Sequence, residues 1–254
     1  MSSKNQKPTS SNNRTIEESS NRPKPSSRKL QVLHLDNHTI VINKRSSDIV
    51  QGDKTGDEPL SDRVKTFLKK KFNKPGNVFC GVVHRLDRPT SGALVFARTS
   101  KALSRLNEQF REKTTDKIYW AVVEQKPANK TGKLVHFLKK NEKQNKSYAS
   151  KDETNGSKRA VLSYQLLASS DKGHLLEITL ETGRHHQIRC QLATMGCIIK
   201  GDVKYGAHLP NKNASIHLHA RKLTFNHPTT KEDIKVTAPV PEESLWKFFE
   251  KEVG

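Results

Sequence analysis

The string His84-Arg85-Leu86-Asp87-Arg88-Pro89-Thr90-Ser91-Gly92 sets one acid between two arginines, in a chain that carries 46 Lys and Arg against 26 Asp and Glu. A carboxylate so placed has two readings. It caps a turn or pairs at the surface, or it is kept ionised and away from water to attack an electrophile. A second string, Thr182-Gly183-Arg184-His185-His186-Gln187-Ile188-Arg189, supplies what the second reading needs. Arg189 falls inside an apolar-faced helical pattern, where an unpaired charge is costly. It requires an anion, and Asp87 is a candidate. The pairing would keep the carboxylate ionised while shielded from water.

Histidine offers a competing chemistry. His185 and His186, with His217 and His219 at strand spacing, suggest a metal site. No Cys or carboxylate stands at ligand-like spacing beside them, so zinc is the weaker reading. Cys80, Cys190 and Cys197 form no CxxC pair and leave an odd thiol, which argues against a disulfide framework and for reduced thiols.

These groups must be held by a scaffold, and the pattern gives its parts. "LQVLHLDNHTIVINK" reads as a β-hairpin about Asp36 and Asn37. "LSDRVKTFLKKKF" places Val64, Phe67, Leu68 and Phe72 at helical spacing behind Ser61 as N-cap. Residues 81–99 read as two strands about an Arg88–Gly92 turn. "SKALSRLNEQF" is a helix with Leu103, Leu106 and Phe110 on one face, and "KIYWAVVE" is a strand. Residues 139–159, rich in Lys, Asn and Ser, read as a mobile basic loop or a loose hairpin. "AVLSYQLLA" and "HLLEITLET" are strands. "RHHQIRCQLATMG" is a helix with Ile188, Leu192 and Met195 on one face and Gly196 as its stop. "SIHLHARKLTF" and "DIKVTAP" form a hairpin, and "PEESLWKFF" closes the chain as a helix packed by Leu245 and Phe248. Many hairpins with few helices predict an α+β fold with a largely antiparallel sheet.

The net charge of +20 suits a polyanionic partner, RNA or DNA. Residues 1–29 hold only Met1 and Ile16 as apolar residues and read as a disordered basic tail. That tail carries +5, so residues 30–254, read as a single domain, carry the larger share of the excess. No apolar run reaches membrane-span length, and the N-terminus has no signal-peptide core. A cytoplasmic protein is the expectation.

Taken together, "HRLDRPTSG", "KIY", "LETGRHHQIR", "GDVKYG" and "HARKLTFNHP" resemble the RluA-like family of RNA pseudouridine synthases, in order from Leu30 to Pro241. The resemblance implies the pseudouridine synthase fold, a central and largely antiparallel mixed sheet flanked by helices and loops. It implies isomerisation of uridine in ribosomal or transfer RNA, at a stem-loop, with no cofactor and no metal, by an enzyme expected to be a monomer. Asp87 matches the family's essential Asp, Tyr119 its active-site tyrosine, and Arg189 the arginine that pairs with the Asp. Ile188 would form an apolar wall beside the base. Arg85 resembles the arginine used to flip the target uridine out of its stack. Lys117 and Arg184 are either phosphate contacts or scaffold ion pairs.

The chain departs from the family pattern in two places. Asn43-Lys44-Arg45-Ser46-Ser47 stands where Asn-Lys-Pro-x-Gly is usual, so the Pro and Gly that shape the loop are missing. Ile198 stands where a Pro is common. Two other functions compete with the isomerase. A non-catalytic RNA-binding or assembly protein would share its charge and fold, although the intact Asp87, Tyr119 and Arg189 set favours catalysis. A metal-dependent nucleic-acid hydrolase is disfavoured by the lack of a clustered acidic site. Either RNA-binding reading predicts affinity that falls steeply with salt.

Overall fold

A computed structural model describes residues 29–53 and 55–254; the tail expected over 1–29 lies, but for Lys29, outside them. The strands are β1 (Val32–Leu35), β2 (Thr39–Lys44), β3 (Gly81–Val82), β4 (Ser91–Ala97), β5 (Asp116–Val123), β6 (Thr131–Asn141), β7 (Lys146–Ser150), β8 (Lys158–Ser170), β9 (Gly173–Leu180), β10 (Leu218–Asn226) and β11 (Asp233–Thr237). The helices are α1 (Leu60–Lys71), α2 (Ser100–Glu112), α3 (Gln187–Thr194) and α4 (Ser244–Glu252). All the strands join one sheet in the order β1-β2-β4-β10-β5-β9-β8-β6-β7, with β3 beside β4 and β11 beside β10. The β4–β10 contact is parallel and the other strand pairings among the described residues are antiparallel. The α+β reading with a largely antiparallel mixed sheet therefore holds.

The middle strands are buried on both faces, which is why they read as near-continuous apolar runs. In β4, Leu94 and Phe96 enter one core with Val64 and Leu68 of α1 and Ile188 and Leu192 of α3. Ala93, Val95 and Ala97 enter another with Ala102 and Leu106 of α2. In β5 the same alternation sends Tyr119, Ala121 and Val123 to the first face and Trp120 and Val122 to a cluster with α4. The first face carries the site.

Gly92 makes the parallel contact possible. A Cβ on it would lie 2.4 Å from the Ala220 carbonyl oxygen, and its φ is +119°, so only glycine lets β4 and β10 approach there.

Several local expectations need correction. The N-cap of α1 is Pro59, not Ser61, and no side chain caps that end. Phe72 is exposed beneath Arg98 rather than on the buried stripe. Ser91 and Gly92 belong to β4 and not to the turn. In α4 the fully buried residues are Trp246 and Phe249, while Leu245 and Phe248 pack at the margin. Of the two readings of residues 139–159 the hairpin holds: β7 pairs β6 from Asn141↔Lys146 to Phe137↔Ser150. What anchors them is Tyr205, whose hydroxyl accepts from Ser147 N at 2.9 Å and donates to Ser147 O at 3.2 Å.

Candidate active site

Asp87 opens a tight turn before β4, closed by a bond from Thr90 N to Asp87 O at 3.0 Å. The turn is pinned from below by Lys44, only 1% exposed. Its Nζ donates to the carbonyls of Arg45, Arg88 and Thr90 at 3.0, 3.1 and 2.7 Å. Burial pulls the Lys44 ammonium down to about 7, yet three carbonyls take its three protons, the number only the charged form offers. Ser47 completes the brace, donating from N to Arg88 O at 2.9 Å. It does so at φ +75°, the left-handed geometry that suits the glycine usual there, so the loop closes without the missing Pro and Gly.

Arg189 reaches Asp87 from α3, Nη1 to Oδ2 at 3.2 Å. Its main partner is another acid. Nε donates to Asp202 Oδ2 at 2.7 Å and Nη2 to Asp202 Oδ1 at 2.8 Å, a bidentate pair with both side chains buried. Asp87, the candidate anion for Arg189, does meet it, but Asp202 holds the guanidinium and aims its remaining edge at Asp87. Burial works against the Arg189 charge, but Asp202 and then Asp87 outweigh it, and its pKa is raised.

His186 sits behind this pair. Arg189 Nη1 lies 3.0 Å from His186 Nε2. Arginine only donates, so Nε2 accepts and the ring proton is on Nδ1. Nδ1 then donates to Tyr205 Oη, 3.1 Å away. Burial, with Arg189 adding to it, brings the imidazole down to about 3, so it is neutral at ordinary pH. His185 stacks on it, ring centroids 3.8 Å apart.

Two clefts meet at the turn. The first is lined by Tyr119 of β5, Leu180 of β9, Leu218 of β10, Ile188 and Leu86, with Arg184 and Arg85 at its rim. The second runs past Gln51, Pro89, Asn145, His185 and Lys204. Arg85, Asp87, His186 and Arg189 line both. The first cleft has the apolar walls and the buried phenol suited to a flat ring. Burial, and Asp87 beside it, raise the Tyr119 pKa, so the phenol keeps its proton at neutral pH and acts as a donor.

Six of the seven candidates thus come together: Asp87, Tyr119, Arg189, Arg85, Ile188 and Arg184. Arg85 is exposed, with no hydrogen bond or ion pair to another described residue, whereas Arg184 spends Nε on Arg159 O at 3.0 Å. Lys117 does not join them. Its Nζ donates to Thr115 O and Oγ1 at 3.3 and 3.1 Å and lies over the Phe110 ring. Two of the histidines considered as metal ligands, His217 and His219, are engaged otherwise. His217 meets Asn211, and His219 meets Ser91 and Ala238 O.

Sequence reasoning missed Asp202, Ser147 and the role of His186. Asp202 had a signal, since Arg189 needed an anion and "GDVKYG" contained one. Ser147 had none, because it lies in the Lys-rich stretch read as a mobile loop or a loose hairpin.

Known proteins resemble this chain in sequence and in fold. Residues 38–194 match the family described as RNA pseudouridylate synthase. The chain is 34% identical over 219 residues to the uncharacterized RNA pseudouridine synthase YhcT of Bacillus subtilis, covering 84% of this chain and 69% of that protein. It is 33% identical over 233 residues to ribosomal large subunit pseudouridine synthase D of Xanthomonas campestris pv. campestris, covering 84% and 67%. Among solved structures, human RNA pseudouridylate synthase domain containing 4 superposes with a TM-score of 0.74 at 24% identity, covering 86% of this chain and 92% of that one. That likeness bears on the fold alone.

Proposed function

The chain belongs to the RNA pseudouridylate synthase family and is an RNA uridine isomerase, and from that premise we propose that Asp87 is the nucleophile acting on a uridine flipped into the first cleft of a ribosomal RNA. The single observation that carries this reading is Asp87 itself, a part-exposed carboxylate at the junction of both clefts, paired through Arg189 to a buried acid. Residues 30–254 act as one catalytic domain in this reading.

The reaction breaks the N1–C1′ bond, turns the uracil while it is held, and joins C5 to C1′ with loss of the C5 proton. Asp87 supplies an ionised oxygen beside the sugar, whether it attacks C1′ or C6 or takes a ribose proton towards a glycal. Tyr119 and Ile188 face the base, and the Tyr119 phenol offers a proton relay at C5. Arg85, exposed and without a protein partner among the described residues, takes the place vacated by the extruded base, since chemistry on a base requires its extrusion. The choice of ribosomal RNA rests on the relatives whose names specify the large ribosomal subunit.

The test is tritium release from RNA bearing 5-tritiated uridine, with ribosomal and transfer RNA assayed separately and Asp87→Asn as control. Release from ribosomal RNA by the wild type alone is the expected result. Release from transfer RNA only would move the substrate, and release by Asp87→Asn would remove Asp87 from the mechanism.

A further inference from the structure

We propose that the second cleft seats the nucleotide adjoining the target uridine, with His185 as the residue that reads it. The inference rests on the RNA-isomerase reading and extends it to a second subsite. A uridine with its base in the first cleft and its sugar at Asp87 remains part of a chain, and that chain has to leave past Asp87. The second cleft begins there, because the two clefts share Arg85, Asp87, His186 and Arg189.

His185 is built to meet a ligand on one side only. Ser147 Oγ lies 2.8 Å from the His185 carbonyl and 2.9 Å from its Nδ1. A carbonyl can only accept, so the hydroxyl proton goes to it, and Nδ1 must carry the ring proton and donate to Ser147 Oγ. Burial lowers the His185 pKa, and the neutral ring then presents Nε2 as a bare acceptor. Nε2 has no hydrogen-bond partner among the described residues. One face of the ring is covered by His186 at 3.8 Å. What remains is the outer face and Nε2, in a cleft it lines with Asn145 and Lys204.

Those two features match a ribonucleotide. The outer face accepts a stacked base, as every base has a π-face, and Nε2 accepts from an amino group or a ribose hydroxyl. Lys204 donates one bond, to Gln144 O at 3.1 Å, and Arg85 none to a described residue, so both have donors for the connecting phosphate. The residue between Arg184 and His186 thereby acquires a task separate from the chemistry at Asp87.

Two experiments decide it. In the first, total RNA substituted with 4-thiouridine is photo-crosslinked to the full-length protein, and adducts are mapped by mass spectrometry. Adducts on His185, Asn145 or Lys204 are expected, and adducts confined to other surfaces would overturn the subsite. This readout needs no turnover, so it fails separately from the isomerase reading. In the second, each nucleotide flanking a site modified by the wild type is made abasic in turn. At one flank the wild type should lose about tenfold in kcat/KM, the worth of one stacked base. His185→Ala should show that loss already, with no further loss from the abasic substitution, while His185→Gln, which keeps an acceptor, should recover part of it. Additive losses in His185→Ala would sink the proposal.

Discussion

Asp202 grips Arg189 by two bonds of 2.7 and 2.8 Å, and the guanidinium edge left over is the one that meets Asp87. The two carboxylates therefore divide their labour. Asp202 neutralises and orients, and Asp87 stays at the cleft surface with a 29% exposed side chain, against 1% for Asp202.

That division predicts opposite phenotypes. Asp202→Ala leaves a buried arginine without its main partner and should cost about 3–5 kcal/mol of stability, read from urea midpoints. Asp87→Asn should cost less than about 1 kcal/mol yet lower kcat by about 10³-fold or more, with RNA affinity intact. Equal destabilisation by both would contradict the assignment of Asp202 as the principal counter-ion.

Tyr119→Phe keeps the ring against the base and removes only the hydroxyl. If the phenol relays the C5 proton, kcat should fall by about 10²-fold, within the range for a lost proton-transfer group, with KM changed less than about threefold. A large rise in KM with kcat unchanged would assign Tyr119 to binding alone.

Stability should fall as the solution is acidified below pH 6.5. His186 is held neutral down to about 3 and His219 down to about 4, chiefly by burial, while in the unfolded chain each protonates near its ordinary 6.5. Between those values the unfolded state binds more protons, so the native state loses ground as pH drops. The two together should remove at least about 2 kcal/mol between pH 6.5 and 5. Urea midpoints across that window check it, and a flat profile would mean that the rings protonate in the folded protein.

Ser47 holds φ at +75° where the related pattern has glycine. Ser47→Gly should raise stability by about 0.5–1 kcal/mol, the relief of left-handed strain less the added freedom of the unfolded chain. Activity should stay within about twofold. A destabilised variant would show that the Ser47 side chain contributes more than the strain costs.

The sheet and most of the site were legible because they rest on local pattern. Near-continuous apolar runs marked β5 and β9, and the helical spacing of Ile188 and Leu192 marked α3, which carries Arg189. Asp87 and Arg189 stood out by charge and placement in their short strings, while Tyr119 was singled out only by the resemblance of its string to the family's. What escaped was long-range. Lys117 occupies a motif position, but its Nζ is taken by Thr115, and nothing in the string distinguishes that from a phosphate contact. Asp202 stands 13 residues beyond Arg189, and only the fold reveals that the two meet. Ser147 looked like one polar residue in a lysine-rich run, and its burial depends on Tyr205, 58 residues away.

Ser147 also ties the site to one edge of the sheet. It lies on β7, the last strand of the sheet, paired along one side only, yet it touches the backbone of His185 and, through Tyr205, the ring that backs Arg189. Marginal strands open at far lower free energy than the centre of a sheet. Peeling β7 away would release both histidines while β4, β5 and α3 stayed folded. Amide exchange at Ser147, set against exchange in β4 and β5, would report such a local opening separately from global unfolding.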